Sequence, residues 1–507
     1  MKYYLGIDNG GTATKAALYT ARGEEIGMAS VSTKAIIPKP NFVERDMLEM
    51  WEDNCRVIRK LLQDTGIDPA DIACIACCGH GKGAYLWGKD GAPAYNGILS
   101  ADNRAVEYAK RWLHDGTLEK VYPMTCQSIM ACQPVAILAW MKDHEPGALE
   151  RVRWVFSCKD YIRFCLTGEA YGEMTDFSGS NLVNLHTRGY DREILRAFGL
   201  EEIYEKLPPL EESIALCGAV TERAAEQTGL KAGTPVSAGM FDIDACALAV
   251  GVVDEAHICM IAGTWSINEY IQKTPVTDGS VLMNSLFCLP GYYLIEESSP
   301  TSAGNNEWFI NTLLPELRIQ AEKEHKSIYE ITNAWVSSIP VEEPCPIFTP
   351  FLMASNVNPD AKASFLGVTN YHTRAHLMRS VYEGIAFCHR YHFEKLMCNR
   401  TQPLKSIRLA GGVARSREWV QMFASIMGYP VEVVEVNETG ALGCAISAAV
   451  ACGEYADLGE ATAAMTKVLY RAEPNMAHRA LYDQKYGLYC LALDLLDPFW
   501  SRLKELY

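Results

Sequence analysis

The stretch YLGIDNGGTATKAAL at residues 4–18 interrupts an apolar run with an aspartate, two glycines and two threonines before the chain turns apolar again. One interpretation is a tight hairpin turn, which Asn-Gly-Gly favours because both residue types reach positive φ easily. The other is a phosphate and metal site. Glycines let backbone N–H groups approach an anion, Thr12, Thr14 and Lys15 add donors, and the carboxylate of Asp8 can hold Mg²⁺ through water.

Length and composition bound the class of protein. The chain has 507 residues, more than one hydrophobic core accommodates, so two large lobes are expected. Its 49% hydrophobic and 21% charged residues are typical of a globular protein. The formal charge of −16, from 46 basic and 62 acidic side chains, argues against nucleic acid or an anionic membrane surface as a partner.

Targeting signals and cysteines indicate the compartment. The most apolar window, GALGCAISAAVACG at 440–453, is too short to span a bilayer, and the N-terminus lacks a signal-peptide layout, so we expect a cytoplasmic protein. The 18 cysteines are scattered through apolar segments, which does not suggest a disulfide framework. The cluster CIACCGH at 74–80 lacks a second ligand pair for zinc, and it is interpreted as a buried strand.

The chain alternates strands and helices. Residues 3–28 predict three strands joined by turns, a helix follows at about 46–64, and a strand at 72–78 leads into CGHGKG. Helical patterns dominate from about 104 to 228. A strand at 235–239 then ends in GMFDIDACALAVG, where Asp242 begins an alanine-rich helix and suits catalysis and capping equally well.

The opening pattern returns in the second half of the chain. AHICMIAGTWSINEYI at 256–271 is again a strand, a Gly-Thr turn and a strand, now without the aspartate. Further on, IRLAGGVARSREWVQMFASIMGYPVEVVE at 407–435 predicts strand, glycine turn, helix and strand. Two lobes built on one plan, each with a Gly-Thr hairpin facing a cleft, would hold a polyphosphate from both sides.

Taken together, these motifs resemble the FGGY carbohydrate kinases of the actin, Hsp70 and hexokinase superfamily. The resemblance rests on GIDNGGTATK, GMFDIDACALAVG, AGTWS and AGGVARSREWVQMFASIMG, supported by PNFVERDMLEMWED, SAGNNEWF, YEGIAF and ETGALGCA. It runs from residue 4 to about 455. It implies an α/β fold of two ribonuclease H-like lobes around a central cleft, with an N-terminal lobe at 1–251 and a C-terminal lobe at 252–507.

The resemblance also implies ATP-dependent transfer of the γ-phosphate to a sugar hydroxyl, with Mg²⁺ held by Asp8 through water. Asp242 is the expected general base. The expected cofactor-binding residues are Asp8, Gly10, Gly11, Thr12, Thr14, Lys15, Gly263, Thr264, Gly304, Gly411, Gly412, Val413 and Arg415. The expected substrate-binding residues are His80, Gly81, Lys82, Asp102, Phe241 and Asp242.

Asp244 is a second carboxylate in the base segment. Asp242 is preferred because it directly follows GMF at the strand end, whereas Asp244 falls within the first helical turn and suits a capping or dipole role. Many relatives carry other side chains where this chain has GHGKG, so the sugar contacts of that loop transfer less directly.

The expected substrate is a ketopentose such as L-xylulose, because GKG at 81–83, ILSADNRA at 98–105, SPTSAGNNEWF and HTRAHLMRSVYEG resemble the branch of the family that acts on it. Alternatives are D-xylulose, ribulose, a polyol such as glycerol or erythritol, or a keto-sugar acid. A sugar or ATP sensor without turnover would not need a base, and a dinucleotide-dependent dehydrogenase would need a GxGxxG turn that the chain lacks. A homodimer is expected from the frequency of two-fold oligomers.

Overall fold

The computed structural model describes residues 2–353 and 355–506. In the first half of the chain, the strands are β1 (Tyr3–Asn9), β2 (Ala13–Thr20), β3 (Glu25–Ser32), β4 (Glu44–Arg45), β5 (Ile72–Gly79), β6 (Tyr85–Gly88), β7 (Gly97–Ile98), β8 (Val152–Phe156), β9 (Gly172–Glu173), β10 (Val183–Asn184), β11 (Gly189–Tyr190), β12 (Leu210–Glu211), β13 (Leu216–Ala219) and β14 (Pro235–Ser237). The helices are α1 (Met47–Thr65), α2 (Val106–Trp112), α3 (Thr117–Thr125), α4 (Pro134–His144), α5 (Pro146–Arg151), α6 (Cys158–Thr167), α7 (Met174–Ser178), α8 (Arg192–Ala197), α9 (Glu222–Thr228) and α10 (Asp242–Ala249).

The second half continues the alternation. Its strands are β15 (His257–Ala262), β16 (Ser266–Gln272), β17 (Met283–Leu286), β18 (Tyr293–Ser299), β19 (Ile347–Thr349), β20 (Ser364–Leu366), β21 (Ser406–Ala410), β22 (Val431–Val434) and β23 (Val468–Ala472). Its helices are α11 (Gly304–Leu313), α12 (Glu316–Glu324), α13 (Ile328–Ser338), α14 (Arg374–Cys398), α15 (Arg417–Met427), α16 (Thr439–Ala451), α17 (Leu458–Met465) and α18 (Met476–Leu503).

The first large sheet has the strand order β13-β14-β5-β1-β2-β3. The hairpin β1-β2 is antiparallel with Asp8 opposite Lys15, and β5 runs parallel to β1 on its other side. A strand inside such a sheet is covered on both faces, which explains why β5 reads as the continuous apolar run IACIACC and not as an alternating pattern. The cysteines 74, 77 and 78 are buried there as small apolar side chains.

The second large sheet repeats this plan in the order β17-β18-β16-β15-β21-β22-β23. The strands β15 and β16 form the antiparallel hairpin, and β21 pairs in parallel with β15. The predicted repetition of one supersecondary unit is therefore confirmed, and with it the α/β class of two ribonuclease H-like lobes. In both sheets an antiparallel hairpin places its tip at the end where a parallel strand also terminates.

Small residues let α16 lie close against β1 and α10. A Cβ added at Gly6 of β1 would overlap the backbone of Ala441, and one added at Gly443 would overlap the backbone of Ala245. The helix is buried along almost its whole length, as the predicted packed small-residue helix requires. This close packing brings residues 438–440 to the end of β1, where Asp8 lies.

The prediction that helices dominate residues 104–228 is only partly correct. Helices α2–α9 occupy much of this segment, but strands β8–β13 lie between them. Of these strands, four are only two residues long, too short to show the alternation by which a strand is recognised in a sequence.

The chain divides into two compact units, each discontinuous in sequence. The first comprises Met1–Val253, Ile271–Ile295 and Val436–Lys467, and the second comprises Asp254–Tyr270, Glu296–Glu435 and Val468–Tyr507. The predicted lobes at 1–251 and 252–507 remain a prediction. Within the described part of the chain, no helix combines the length and the apolarity that crossing a membrane would require.

Candidate active site

The tip of the β1-β2 hairpin is exposed at Gly11 and Thr12. Neither Gly10 nor Gly11 has a positive φ, so the turn itself does not demand glycine at either position. A Cβ at Gly11 would meet no atom within 4 Å, which leaves its backbone open to a ligand. The guanidinium of Arg45 donates hydrogen bonds to the carbonyls of Gly10 and Gly11, at 3.2 and 2.9 Å, and these bonds hold the hairpin tip in place.

Thr14 does not share this exposed surface. Its side chain is fully buried, and its hydroxyl donates to Oδ1 of Asn9 at 3.3 Å. The structure therefore gives no support to the prediction that Thr14 contacts a phosphate. Thr12 precedes β2 and is exposed in the turn, whereas Thr14 lies within the strand, on the opposite face from Ala13 and Lys15.

Lys15 forms an ion pair within the protein. Its Nζ lies 2.6 Å from Oε2 of Glu438, which precedes α16. Burial alone would lower the pKa of Lys15, but the hydrogen bond and charge of Glu438, together with Asp8, raise it above its usual value. Lys15 is thus a fixed cation beside Asp8. Glu438 was not among the predicted site residues, because it lies 423 positions further along the chain.

Asp8 sits at the end of β1 with its carboxylate partly accessible. Burial raises its pKa, while the charge of Lys15 and a hydrogen bond from Cys78 oppose that rise. A Cβ added at Gly440 would lie 2.7 Å from Oδ2 of Asp8, so only glycine leaves room for this carboxylate at the start of α16. An accessible carboxylate oxygen is the type of donor that Mg²⁺ prefers, and these residues therefore fit the predicted metal.

Asp242 begins α10, and its side chain is partly accessible. Its pKa is raised well above the usual value, first by burial and then by the negative charges of Asp8 and Asp176. The charge of Lys82 acts in the opposite direction and lowers the pKa of Asp242. The structure thus brings together three of the predicted residues, Asp8, Lys82 and Asp242, with Asp176 as an unpredicted neighbour.

Asp244 is placed differently from Asp242. It is fully buried, and its Oδ1 accepts the backbone N–H of Cys288 at 3.0 Å. Burial, followed by the charge of Glu173, raises the pKa of Asp244 well above its usual value. A buried carboxyl group that ties a neighbouring loop cannot reach a sugar hydroxyl. Of the two candidate bases, Asp242 is the one with an accessible carboxyl group.

The loop at 80–83 lies beside Asp242. His80 is buried with Nε2 2.7 Å from the hydroxyl of Tyr85, and burial lowers its pKa to about 4, so the ring is neutral at pH 7. A Cβ at Gly81 would overlap the ring of Phe241, which explains why this position is glycine. Lys82 adopts a left-handed conformation with φ 62°.

Asp102 is enclosed by other partners. Its Oδ2 accepts the N–H of Val43 at 2.7 Å and a guanidinium N–H of Arg104 at 2.9 Å, and its Oδ1 accepts two further N–H groups of Arg104. Arg104 also pairs with Glu44 at 2.7 Å. Asp102 has no accessible surface and already accepts four hydrogen bonds, so it is part of a structural network of ion pairs. The structure does not place it on a surface that a sugar could contact.

The structure contains a buried network of charged residues that the sequence did not reveal. It includes Asp176, whose charge acts on Asp242. Lys159 Nζ lies 2.9 Å from Asp160, 3.3 Å from Glu173 and 3.8 Å from Asp176, and the buried guanidinium of Arg163 donates to Asp160 at 2.8 Å. A weak signal exists in CKDYIRFCLTG and GEMTD, where charged residues sit among apolar ones. A sequence alone does not show whether such residues face solvent.

The second unit contains a cavity of about 500 Å³. Its lining includes the predicted residues Gly263, Thr264, Gly304, Gly412 and Arg415, together with the unpredicted residues Ala303, Asn306, Glu307, Ser327, Tyr329, Glu330, Asn333, Tyr382, Ser416 and Trp419. A concave site of this size, with apolar rings and a few polar groups, is of the kind that binds a small molecule.

Glycines and stacked rings build this cavity. Gly411 has φ 87°, and a Cβ there would lie 2.5 Å from the carbonyl oxygen of Ala262, so it brings the end of β21 against the end of β15. The rings of Tyr382 and Trp419 are stacked with centroids 3.8 Å apart. Val413 is fully buried and is not among the lining residues, so its predicted contact with the nucleotide has no support from its position.

Asn333 joins several polar groups of the cavity. Its Oδ1 accepts from the hydroxyl of Tyr382 at 2.9 Å and from the hydroxyl of Ser416 at 3.0 Å. The hydroxyl of Ser416 also accepts the N–H of Trp419 and so begins α15. These hydrogen bonds fix the positions of four residues that line the cavity, Asn333, Tyr382, Ser416 and Trp419.

Comparison with known proteins identifies the family. Residues 3–249 match the N-terminal domain, and residues 258–452 the C-terminal domain, of the FGGY family of carbohydrate kinases. The chain is 37% identical over 506 residues to the L-xylulose/3-keto-L-gulonate kinase of Escherichia coli, covering 99% of both chains. It is also 37% identical over 490 residues to a probable L-xylulose kinase of Pasteurella multocida, covering 96% of this chain and 98% of the relative.

A solved structure supports the fold. The ligand-bound xylulose kinase of Lactobacillus acidophilus superimposes with a TM-score of 0.89 at 23% identity, covering 99% of this chain and 100% of that one. The likeness extends over both halves, as the two family domains do. On these matches, the resemblance found in the sequence is confirmed, and this chain is an enzyme that belongs to the FGGY family of carbohydrate kinases.

Proposed function

We propose that this carbohydrate kinase transfers the γ-phosphate of ATP to a hydroxyl of L-xylulose, with Asp242 as the general base. The observation that carries the proposal is the position of Asp242, a partly exposed residue at the start of α10 whose carboxylate interacts electrostatically with Lys82 and Asp8. The choice of sugar is supported by the names of the relatives that match nearly the whole chain.

Phosphoryl transfer depends mainly on positioning and on neutralisation of charge. Asp242 would accept the proton of the attacking hydroxyl, which requires that its carboxylate lie within hydrogen-bond reach of that hydroxyl. Lys82 would orient the sugar through its three N–H donors. The exposed backbone at Gly11 and Thr12 would contact the phosphates, and Lys15 would remain fixed by Glu438 as a nearby positive charge.

Mg²⁺, when bound, would neutralise charge on the phosphates as it develops. Asp8 is the residue proposed to hold it through water, because it is a partly exposed carboxylate near the end of β1. In the second unit, Gly263, Thr264, Gly304, Gly412 and Arg415 are proposed to contact the nucleotide, since all five line the cavity.

A second substrate is favoured by one observation. The relative from Escherichia coli is named for 3-keto-L-gulonate as well as for L-xylulose. That compound carries a carboxylate, and a lysine at position 82 would suit it as a counter-charge. We therefore include a keto-sugar acid as the alternative substrate.

A kinase assay over a substrate panel tests this proposal. The panel contains L-xylulose, D-xylulose, ribulose, 3-keto-L-gulonate, glycerol and erythritol, with ADP release as the signal and a no-sugar reaction as the control. We expect the highest kcat/KM for L-xylulose or 3-keto-L-gulonate, and dependence on added Mg²⁺. A preference for glycerol or erythritol, or ADP release that no sugar increases, would contradict it.

Three further predictions belong to this proposal. We propose that the lobes divide at 1–251 and 252–507, that the enzyme is cytoplasmic and that it forms a homodimer. Light scattering coupled to size-exclusion chromatography measures the oligomeric state, and a mass near 56.2 kDa would show a monomer. Fractionation of the source cells tests the location.

A further inference from the structure

The turn that presents Asp242 is anchored by a residue from another segment. The backbone N–H of Phe241, immediately before Asp242, donates to Oγ1 of Thr175 at 2.9 Å. Phe241 precedes the first turn of α10, and no side chain of its own caps that helix. The hydroxyl of Thr175 is therefore the polar group that holds the peptide through which Asp242 enters α10.

Thr175 is oriented by a carboxylate. Its hydroxyl donates to Oε2 of Glu173 at 2.7 Å, and its backbone N–H donates to Oε1 of the same side chain at 2.9 Å. A hydroxyl has one proton, so the bond to Glu173 directs its lone pairs toward the N–H of Phe241. Glu173 thus determines which way the Thr175 hydroxyl points.

Glu173 is in turn held in place inside the protein. It is fully buried, and its carboxylate accepts the hydroxyl of Ser213 at 2.8 Å and pairs with Lys159 at 3.3 Å. A buried carboxylate is tolerated only when it is paired and hydrogen-bonded, and Lys159 supplies the opposite charge. The result is a chain of contacts from Lys159 through Glu173 and Thr175 to the peptide before Asp242.

We propose that Thr175, oriented by Glu173 and Lys159, is a positioning residue for the general base Asp242. The inference rests on the proposed function, since it assigns Thr175 to the support of that base. Thr175 acts on turnover through the position of the Asp242 carboxylate and not through contact with the sugar. Small displacements of a catalytic group reduce turnover while leaving binding almost unchanged.

The test compares Thr175→Val with a matched control. Thr228 lies in α9 and is also buried, and its hydroxyl likewise donates one hydrogen bond, here to the carbonyl of Ala224, and accepts one backbone N–H, that of Leu230. Both substitutions remove one hydroxyl of the same shape from the same unit. We expect Thr175→Val to lower kcat by about tenfold to a hundredfold with both KM values within about twofold, and Thr228→Val to leave kcat unchanged.

Rescue and a double variant complete the experiment. Thr175→Ser retains the hydroxyl, so its kcat should lie within about threefold of the wild type. Thr175→Ala removes the hydroxyl in a second way and replaces the valine variant if that variant folds poorly. In the Asp242→Asn background, adding Thr175→Val should change the remaining turnover by less than about twofold, because the base through which it acts is already absent.

Two results would overturn the inference. One is an unchanged kcat for both Thr175→Val and Thr175→Ala, and the other is an equal fall in kcat for Thr228→Val, which would indicate general destabilisation. Failure of the proposed function is recognised separately. If Asp242→Asn alone retained normal turnover, the assignment of the base would be wrong whatever the Thr175 variants did.

Discussion

The ring of Phe241 occupies the space that a side chain at residue 81 would need, since a Cβ added at Gly81 would overlap its Cε2 and Cζ atoms. Two segments more than 150 residues apart thus fit together only because one of them has no side chain. Phe241 directly precedes Asp242, so the packing at Gly81 bears on the position of the proposed base.

Gly81→Ala is expected to displace Phe241 and to lower kcat/KM for the sugar by about tenfold or more. The new methyl has no room, and the ring must move before it can be accommodated. The matched control is Gly147→Ala, where an added Cβ would meet nothing within 4 Å. Steady-state kinetics checks both variants, and equal kinetics for the two would show that the Gly81–Phe241 contact does not matter to the site.

Asp242→Asn should reduce kcat by about 10² or more while the KM for ATP stays nearly constant, because the amide keeps the shape but cannot accept a proton. Asp244→Asn serves as the comparison. An asparagine Oδ1 can still accept the N–H of Cys288, so a much smaller loss of turnover is expected there. If the larger loss followed from Asp244→Asn, the base would have to be reassigned.

Lys82→Ala should lower kcat/KM for the preferred sugar by about tenfold to a hundredfold, with little change in the KM for ATP. Its charge acts on Asp242, and removing a donor leaves a sugar hydroxyl without a partner, at a cost of about 1 to 3 kcal/mol. The surface lysine Lys89, whose ammonium donates to the carbonyl of Glu150, is the control as Lys89→Ala. A raised KM for ATP with unchanged sugar kinetics would place Lys82 on the nucleotide and not on the sugar.

Thr264→Val is expected to raise the KM for ATP by about tenfold without changing which sugar is preferred, since Thr264 lines the cavity of the second unit. Thr401→Val, at an exposed position of the same unit, is the control. A change in the order of sugar preference would contradict a nucleotide role for this residue.

Asp176→Asn should alter the pH dependence of stability. Burial raises the pKa of Asp176 to about 7, and the charges of Asp160 and Glu173 add to that effect against the opposing charge of Lys159. Between pH 4 and 7 the folded protein therefore keeps a proton that the unfolded chain has lost, so the free energy of unfolding contributed by this group falls as pH rises through that interval and is constant above it.

The asparagine variant removes that ionisation. Its Tm relative to the wild type should rise by several degrees between pH 5 and pH 8, with the exposed Asp64→Asn variant showing no such trend. Thermal unfolding at pH 5, 6, 7 and 8 measures the difference. A Tm difference that stayed constant over this range would mean that Asp176 does not titrate there.

Much of the fold could be predicted from local patterns. Helix 46–64 and strand 72–78 agree with Met47–Thr65 and Ile72–Gly79 to within one residue, because long runs of a single periodicity and clear caps mark their ends. The two Gly-Thr hairpins were recognisable for a similar reason. Their signal lies within about fifteen consecutive residues, and it repeats.

The candidate site was only partly predictable. Asp8 lies near the end of β1, Lys82 in the loop after β5 and Asp242 at the start of α10, and the sequence indicated all three. Thr14, Asp102 and Val413 also lie in the motifs by which the chain resembles the family, yet their side chains are buried. A motif assigns residue types to a segment, but the alternation of a strand and the packing around it decide which side chains face the ligand.

By itself, the sequence determined the class of the protein, the repeated hairpin and the carboxylate at the start of α10, since each depends on neighbours in the chain. Only the tertiary structure decided that Glu438 pairs with Lys15 and that Asn333, Tyr382 and Trp419 line the cavity. It also decided that Thr175 holds the peptide before Asp242. The physical reason is distance along the chain. Thr175 and Phe241 are 66 residues apart, and a hydrogen bond between them exists only after the core has brought α7 and α10 together.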